Sequence, residues 1–232
     1  MNNLKLIYKK LHIRSFVKRR RCLTIKQKQI LKKLWIKIGI NYKNHYINLN
    51  KFFIKTTSII LEIGFGIGKT LINTALKYPK KNFLGIETYL PGISSCLNNI
   101  YKLNIKNIRI IYYDALEVIK YMIKDNSIKL IQIFFPDPWY KKCHNKRRII
   151  KQNFIILITK KLIKNGILHI STDCKLYAIH ILKVMSLNKN FYNISIKKKY
   201  INFIKNRPVT KFEKKGIKLK NKIIDLVFKK IF

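Results

Sequence analysis

The sequence predicts an α/β fold, a doubly wound and mainly parallel seven-stranded sheet of Rossmann-like type, preceded by a basic N-terminal helical arm. Three observations support it. Hydrophobic residues make up 48% of the 232 residues, too many for a disordered basic chain. From Ser58 onward, short apolar runs alternate with longer amphipathic ones, which is typical of βαβ units. A glycine-rich turn directly follows the first of these runs. We expect the arm over residues 1–55 and one domain over 56–232.

The arm is predicted to contain one helix. Over Thr24 to Lys37, apolar residues recur at helical spacing after a threonine that can cap the helix. The arm also contains many lysines and arginines. These features are also compatible with an organellar presequence.

The domain is predicted to alternate strands and helices along the chain. The predicted strands are the runs SIILEI, NFLGIE, NIRIIYY, KLIQIFF and GILHIST. The predicted helices cover Lys69 to Lys77, Gly92 to Tyr101, a short stretch near Leu116, Asn153 to Lys164, and Lys175 to Leu187. Segments around Ser195 and over Lys222 to Lys229 are expected to be terminal strands, one of them antiparallel at the edge.

The charge is strongly unbalanced, with 51 Lys and Arg against 9 Asp and Glu, a formal net charge of +42. An imbalance of this size favours a polyanionic partner. Because Lys, Ile and Asn are abundant throughout, compositional drift is an equally good explanation for most of the lysines. The four cysteines are scattered without metal-binding spacing, and no apolar run approaches the roughly 18 residues of a membrane span.

The glycine-rich turn contains Gly64, Gly66 and Gly68. Closely spaced glycines let the backbone turn sharply and let a nucleotide-like cofactor approach the following helix. Glu87 follows 23 positions after Gly64, at the end of the second strand, where an acid can bind a ribose. A nicotinamide dehydrogenase shares both features, and a purely structural turn explains the glycines alone.

Two more acids narrow the choice of cofactor. Glu62 comes just before the turn, and Asp114 comes just after the third strand. Strand ends of a parallel sheet converge, so the three acids can meet the ammonium and sulfonium, the ribose and the adenine of S-adenosylmethionine. The alternative is that they are three unrelated surface acids.

A rigid loop follows the fourth strand, where Asp137 lies between two prolines and an aromatic and basic segment comes next. A carboxylate can hold a base, aromatic rings can stack, and cations can bind phosphates. The loop is therefore predicted to face the substrate. The alternative is that Trp139 belongs to the core and the basic run is a solvated face.

On these motifs the chain resembles the bacterial tRNA (guanine-N(7)-)-methyltransferase family. The resemblance spans nearly the whole chain and is most specific in FFPDPW with HNKRR and in RPVTKFE. It also includes RSFV in the arm, EIGFGIG, GIE, DA, STD and DL. Because RSFV matches, the arm is expected to belong to the mature enzyme and not to be a presequence.

The resemblance implies a class I methyltransferase that uses S-adenosylmethionine, with S-adenosylhomocysteine as product, to methylate N7 of a guanine in the tRNA variable loop. It implies cofactor binding by the glycines and four acids, with Asp137 also catalytic: Glu62, Gly64, Gly66, Gly68, Glu87, Asp114 and Asp137. It implies target-nucleotide contacts from Lys141, Asp173, Thr210, Lys211, Phe212 and Glu213. It implies RNA contacts from Cys143, His144, Asn145, Lys146, Arg147 and Arg148.

The chain departs from the family pattern at Tyr140, Cys143 and Cys174, which affects packing and one phosphate contact but no carboxylate. The expected partner is tRNA, with no membrane and no metal, in a cytoplasmic monomer or, as the alternative, a homodimer. Two other functions remain open on the residues alone: methylation of an exocyclic base amine, and a non-catalytic RNA-binding relic.

Overall fold

The computed structural model describes residues 13–17, 22–194 and 209–232, without the side chains of residues 211, 212 and 215. Eight strands form one sheet in the order β1-β4-β3-β2-β5-β6-β8-β7. The strands are β1 Gly39–Ile40, β2 Ile59–Ile63, β3 Asn82–Glu87, β4 Ile108–Tyr112, β5 Ile128–Phe134, β6 Leu162–Thr172, β7 Phe191–Asn193 and β8 Ile224–Lys230. All neighbours from β1 to β6 pair in parallel, and β8 pairs antiparallel with both β6 and β7.

Seven α-helices are found in the described residues. They are α1 Ile25–Ile38, α2 Lys69–Lys77, α3 Leu90–Lys102, α4 Ala115–Tyr121, α5 Gln152–Lys161, α6 Lys175–Ser186 and α7 Lys211–Lys218. Two 3-10 helices cover Leu49–Phe52 and Lys142–Arg147. None of the described helices is both long and apolar enough to cross a membrane.

The sheet separates two apolar cores. On one face, α1, α2 and α3 bury residues such as Leu34, Leu71 and Leu97. On the other, α4, α5 and α6 bury residues such as Val118 and Ile158. Burial on both faces explains why the central strands are continuous apolar runs. The predicted α/β fold class is confirmed.

The arm helix is integrated into the first of these cores. Thr24 caps α1, as predicted, and its hydroxyl accepts from the Gln27 N–H at 3.2 Å while the Gln27 side chain accepts from the Thr24 N–H at 3.1 Å. Directly after α1, the two residues of β1 pair with β4 and add an eighth strand to the seven expected. The boundary at residue 55 stays a prediction.

The end of one helix and the place of one strand in the sheet differ clearly from the sequence expectation. Helix α5 ends at Lys161 and not at Lys164, because Leu162 already pairs with Ile128 as the first residue of β6. The antiparallel strand β8 lies between β6 and β7 and not at the edge of the sheet. The expected strand around Ser195 falls outside the described residues, and β7 ends two positions before it.

Candidate active site

A cavity of about 210 Å³ opens at the carboxyl ends of β2 to β5. The turn after β2, the end of β3, the loop after β5 and the arm segment 13–17 all contribute to its wall. Of the predicted cofactor residues, four line it: Gly64, Gly66, Glu87 and Asp137. Glu62, Gly68 and Asp114 do not line it.

The three glycines of the turn have two different roles. All three have positive φ angles, between +60° and +79°, which residues with side chains rarely adopt. At Gly64 and Gly66 a Cβ atom would meet nothing within 4 Å, so this backbone is open to a ligand. At Gly68 a Cβ would lie 2.2 Å from the Cys96 sulfur, so here glycine permits close packing of α3.

Glu87 ties the end of β3 to the glycine turn. Its carboxylate accepts hydrogen bonds from the Gly66 N–H at 2.8 Å and from the Tyr89 N–H at 2.9 Å. These bonds fix the carboxylate at the cavity wall and shape the turn itself. A ligand that hydrogen-bonds to Glu87 therefore meets a preorganised acceptor.

Glu62 is a buried carboxyl group with one atom left without a partner. The residue is 3% exposed, and its Oε2 atom has no hydrogen-bond partner. Burial, reinforced by the negative charge of Glu87, raises the pKa of Glu62 from about 4.5 to about 8. An unsatisfied buried oxygen is costly, and a cationic ligand group would relieve that cost.

Asp114 caps helix α4, and its side chain accepts from the Leu116 N–H at 3.0 Å. Its neighbours Tyr113 and Ala115 line the cavity, and Tyr113 stacks on Tyr42 with ring centroids 3.8 Å apart. The predicted adenine contact therefore sits where the chain turns from β4 into α4.

The residues fit a nucleoside with a cationic chain. Open glycine backbone, the fixed carboxylate of Glu87 and the unsatisfied oxygen of Glu62 lie around one turn. These are the groups that S-adenosylmethionine requires.

Asp137 is exposed and lies on the cavity wall in a strained loop. Phe135 and Trp139, on either side of it, have φ angles of +52° and +46°. Left-handed conformations of bulky residues cost roughly 1–3 kcal/mol each and persist only where the surroundings enforce them. Here the Phe135 N–H donates to the Ser171 carbonyl at 2.8 Å, which fixes the start of the loop against β6.

Arg148 holds the other end of this loop. Its guanidinium donates to the Pro138 carbonyl at 2.8 Å and lies over the Tyr177 ring of α6, 5.1 Å from the centroid. Arg148 is only 8% exposed. Arg148 thus supports the loop that carries Asp137, through its Nε–H and its guanidinium face, and its RNA contact stays a prediction.

Arg147 is also engaged within the chain. Its guanidinium lies 4.0 Å from the Trp139 ring centroid and donates to the carbonyls of Arg14 at 3.4 Å and Phe16 at 3.3 Å. The Trp139 indole N–H donates to the Ser15 carbonyl at 3.4 Å. Together they fasten the arm segment to the cavity wall.

The rest of the predicted RNA segment lies at the surface. Lys141, Cys143 and Lys146 are exposed, whereas Asn145 and His144 are half-buried. The His144 ring packs edge-on against Trp139 at 5.8 Å. Only part of the segment is therefore available to a phosphate.

The predicted target-nucleotide residues occupy a neighbouring region. Asp173 follows β6, and a Cβ at Gly216 of α7 would lie 3.2 Å from its carboxylate. Thr210 and Glu213 form a capping box: the Thr210 N–H donates to Glu213 at 3.2 Å, and the Glu213 N–H donates to Thr210 at 3.0 Å. Glu213 is fully buried. The side chains of Lys211 and Phe212 lie outside the described part of the structure.

Sequence reasoning missed two features of the site. The first is the arm segment Ser15–Val17 as part of the cavity wall; RSFV was a matching motif without an assigned role. The second is a buried network in which Asp225 of β8 contacts His169 at 2.8 Å and accepts a hydrogen bond from the Ser171 hydroxyl. Ser171 is also the residue whose carbonyl fixes Phe135.

Known proteins are similar to this chain in sequence over most of its length. A family model described as "Putative methyltransferase" matches residues 56–226. The tRNA (guanine-N(7)-)-methyltransferase of Buchnera aphidicola subsp. Acyrthosiphon pisum (strain 5A) is 49% identical over 216 residues, 93% of this chain and 90% of the relative. The enzyme of the same name from Photorhabdus laumondii is 43% identical over 219 residues, 94% and 92% of the two chains.

The chain belongs to the tRNA (guanine-N(7)-)-methyltransferase family. Membership confirms the predicted family and enzyme class, a tRNA methyltransferase with S-adenosylmethionine as methyl donor. The roles of individual residues stay predictions.

Solved structures agree on the fold. An rRNA methylase from Streptococcus thermophilus aligns with a TM-score of 0.51 at 13% identity, covering 75% of this chain and 87% of that one. Geranyl diphosphate C-methyltransferase from Streptomyces coelicolor A3(2), solved with S-adenosyl-L-homocysteine among its ligands, aligns with a TM-score of 0.52 at 8% identity, covering 77% and 72%. At these identities the likeness shows the methyltransferase fold alone.

Proposed function

We propose that this family member methylates N7 of guanine 46 in the tRNA variable loop, with Asp137 as its catalytic residue. The observation that carries the assignment is the placement of Asp137. It is an exposed carboxylate on the same cavity wall as Gly66 and Glu87, in a loop fixed by Ser171 and Arg148. The enzyme is further proposed to act in the cytoplasm, as a monomer and without a metal.

The cofactor residues bind and orient the methyl donor. When bound, S-adenosylmethionine supplies an electrophilic methyl group on a positively charged sulfur. Glu87 accepts the ribose hydroxyls, Asp114 faces the adenine side, and Glu62 offers its unsatisfied oxygen to the cationic end. The open backbone at Gly64 and Gly66 allows close approach.

The acceptor nitrogen needs orientation more than deprotonation. N7 of guanine has a free lone pair and no proton, so a strong general base is unnecessary and alignment at near-attack distance provides most of the catalysis. Asp137 accepts hydrogen bonds from the Watson–Crick edge of guanine and stabilises the positive charge that the ring gains. Asp173 is the second carboxylate for this task, since Glu213 is fully buried and holds the cap of α7.

The target base must reach the cavity, so the variable loop is expected to unstack locally or to flip the guanine out. Lys141 and Lys146, both exposed beside the Asp137 loop, bind the neighbouring phosphates.

Labelled S-adenosylmethionine and a tRNA transcript test this function, followed by chemical cleavage at N7-methylguanosine. We expect label in the transcript with guanine 46 and none in a matched transcript with adenine there. Label on an exocyclic amine would favour the other base methyltransferase, and no label would favour the relic.

Asp137→Ala and Asp137→Asn test the catalytic assignment. We expect turnover to fall by about 10²-fold or more while the affinity for tRNA stays nearly unchanged, because the loss falls on a group that acts in the transition state. Unchanged turnover in both variants would remove Asp137 from the mechanism.

A further inference from the structure

The outer face of helix α1 is densely cationic. Its 14 residues contain five exposed lysines and no acid: Lys26, Lys28, Lys32, Lys33 and Lys37. At about 100° per residue they form two rows along the helix, one of three lysines and one of two, on either side of the exposed Ile25 and Ile36.

Repulsion between these lysines destabilises helix α1. Lys28 and Lys32, and likewise Lys33 and Lys37, have the i,i+4 spacing at which like charges destabilise a helix. The capping box uses the neutral Gln27, and the first turn contains no acid to complement the helix dipole. Within the described chain, no carboxylate forms an ion pair with any of the five. A bound polyanion would relieve this repulsion.

The opposite face of α1 is already occupied. Leu34 and Ile38 are buried in the core, with Ile30 and Leu31 packed beside them. The helix is therefore fixed with its lysines outward, and its apolar side is not available to enter a lipid bilayer. A rigid cationic surface suits phosphates held at fixed spacing.

The cationic face begins beside the active site. The Ser94 hydroxyl of α3 donates to the Gln27 carbonyl in the first turn of α1 at 3.3 Å. Two residues earlier, a Cβ at Gly92 would lie 2.3 Å from the Gly66 carbonyl of the cofactor turn. Helix α3 thus contacts both the start of α1 and the cofactor turn, and α1 extends roughly 21 Å from there.

We propose that the outer face of α1 binds the sugar-phosphate backbone of the RNA whose target base enters the cavity. The proposal rests on the proposed function, since it names a second contact surface for the same substrate. It assigns a function to five lysines, whereas compositional drift can explain many of the others.

The test compares two variants that lose the same five charges. In the first, the five α1 lysines are changed to glutamine, which has a similar helix propensity, so that the helix is retained. In the control, five exposed lysines at or near the amino ends of β3 to β6, the end of the sheet opposite the cavity, are changed: Lys80, Lys106, Lys124, Lys129 and Lys164. Unfolding temperature and circular dichroism verify both folds, and a variant of Lys26, Lys33 and Lys37 alone serves if the first does not fold.

The measurement is tRNA affinity across a salt series, with turnover at saturating tRNA. We expect the slope of log affinity against log salt to fall by about one for each lysine that contacts a phosphate, hence by about three to five in the α1 variant and by less than about one in the control. Turnover at saturating tRNA should stay within about twofold of the parent in both.

Equal slopes in the two variants would overturn the proposal. So would an α1 variant that keeps its tRNA slope but loses binding to vesicles of anionic phospholipid. If the parent itself failed to methylate tRNA, the proposed function would fall, whereas equal slopes with methylation intact would remove only the role of α1.

Discussion

At the scale of single residues, the proposed role of the buried Glu62 carboxyl group would couple cofactor binding to pH. Its pKa of about 8 means that it carries a proton at neutral pH when no ligand is bound. If the cationic end of S-adenosylmethionine meets Glu62, as proposed, it favours the ionised form, and binding releases that proton.

We therefore expect affinity for S-adenosylmethionine to rise as the pH increases toward about 8 and to level off above it. Titration calorimetry in buffers of different ionisation enthalpy should detect about one proton released at pH 7. Glu62→Gln should bind more weakly and release no proton, and proton release that persists in this variant would contradict the assignment.

The raised pKa of Glu62 also affects the stability of the ligand-free protein. An unfolded carboxyl group ionises near pH 4.5, whereas folded Glu62 retains its proton until about pH 8. Between these values the folded state binds more protons, so this group makes stability fall as the pH rises. The contribution should be absent in Glu62→Gln.

At the scale of elements, the loop after β5, which lines the cavity, is fixed at two points. β6 fixes Phe135 through the Ser171 carbonyl, and Arg148 joins Pro138 to Tyr177 of α6. The strain at Phe135 and Trp139 is sustained between these two supports.

Arg148→Lys tests this support. Lysine keeps the charge but lacks the planar group that bridges Pro138 and Tyr177. We expect turnover to fall by about tenfold or more, through displacement of Asp137, with tRNA affinity changed by less than about twofold. Weaker tRNA binding with normal turnover would instead support an RNA contact at Arg148.

At the scale of the whole molecule, the nine acids are placed far less evenly than the lysines. Glu62, Glu87, Asp114, Asp137 and Asp173 lie at or just beyond the carboxyl ends of β2 to β6. Asp125 forms an ion pair with Lys161 at 2.6 Å. Five of the nine acidic residues thus lie at one edge of the sheet, the edge at which the cavity opens.

We expect this distribution to make tRNA binding by the parent enzyme strongly salt-dependent. If about 6–10 phosphates are neutralised, affinity should fall by roughly 10³–10⁵ between about 50 and 200 mM salt. Filter binding over a salt series provides the measurement. A flat response would show that the +42 charge is compositional.

Local patterns predicted the elements and the glycine turn well. Helix α2 has the predicted bounds, because a glycine turn and a lysine-rich end mark its limits, and five acids lie at one edge of the sheet because its parallel strands end there. Arg148 could not be recognised as buried, since an arginine in a basic run looks like a surface cation until its long-range partner is known. The capping box could be predicted from the sequence, because Thr210 and Glu213 have the T-x-x-E spacing.

The position of β8 also dictates an order of assembly. β6 is complete at Thr172, but its outer partner β8 begins only at Ile224. Until ribosomal synthesis reaches β8, β6 has an unpaired edge and β7 has no strand beside it. Asp225, at the start of β8, then closes the buried contacts to His169 and Ser171, so a strand made after the other described strands completes the support beneath the loop that carries Asp137.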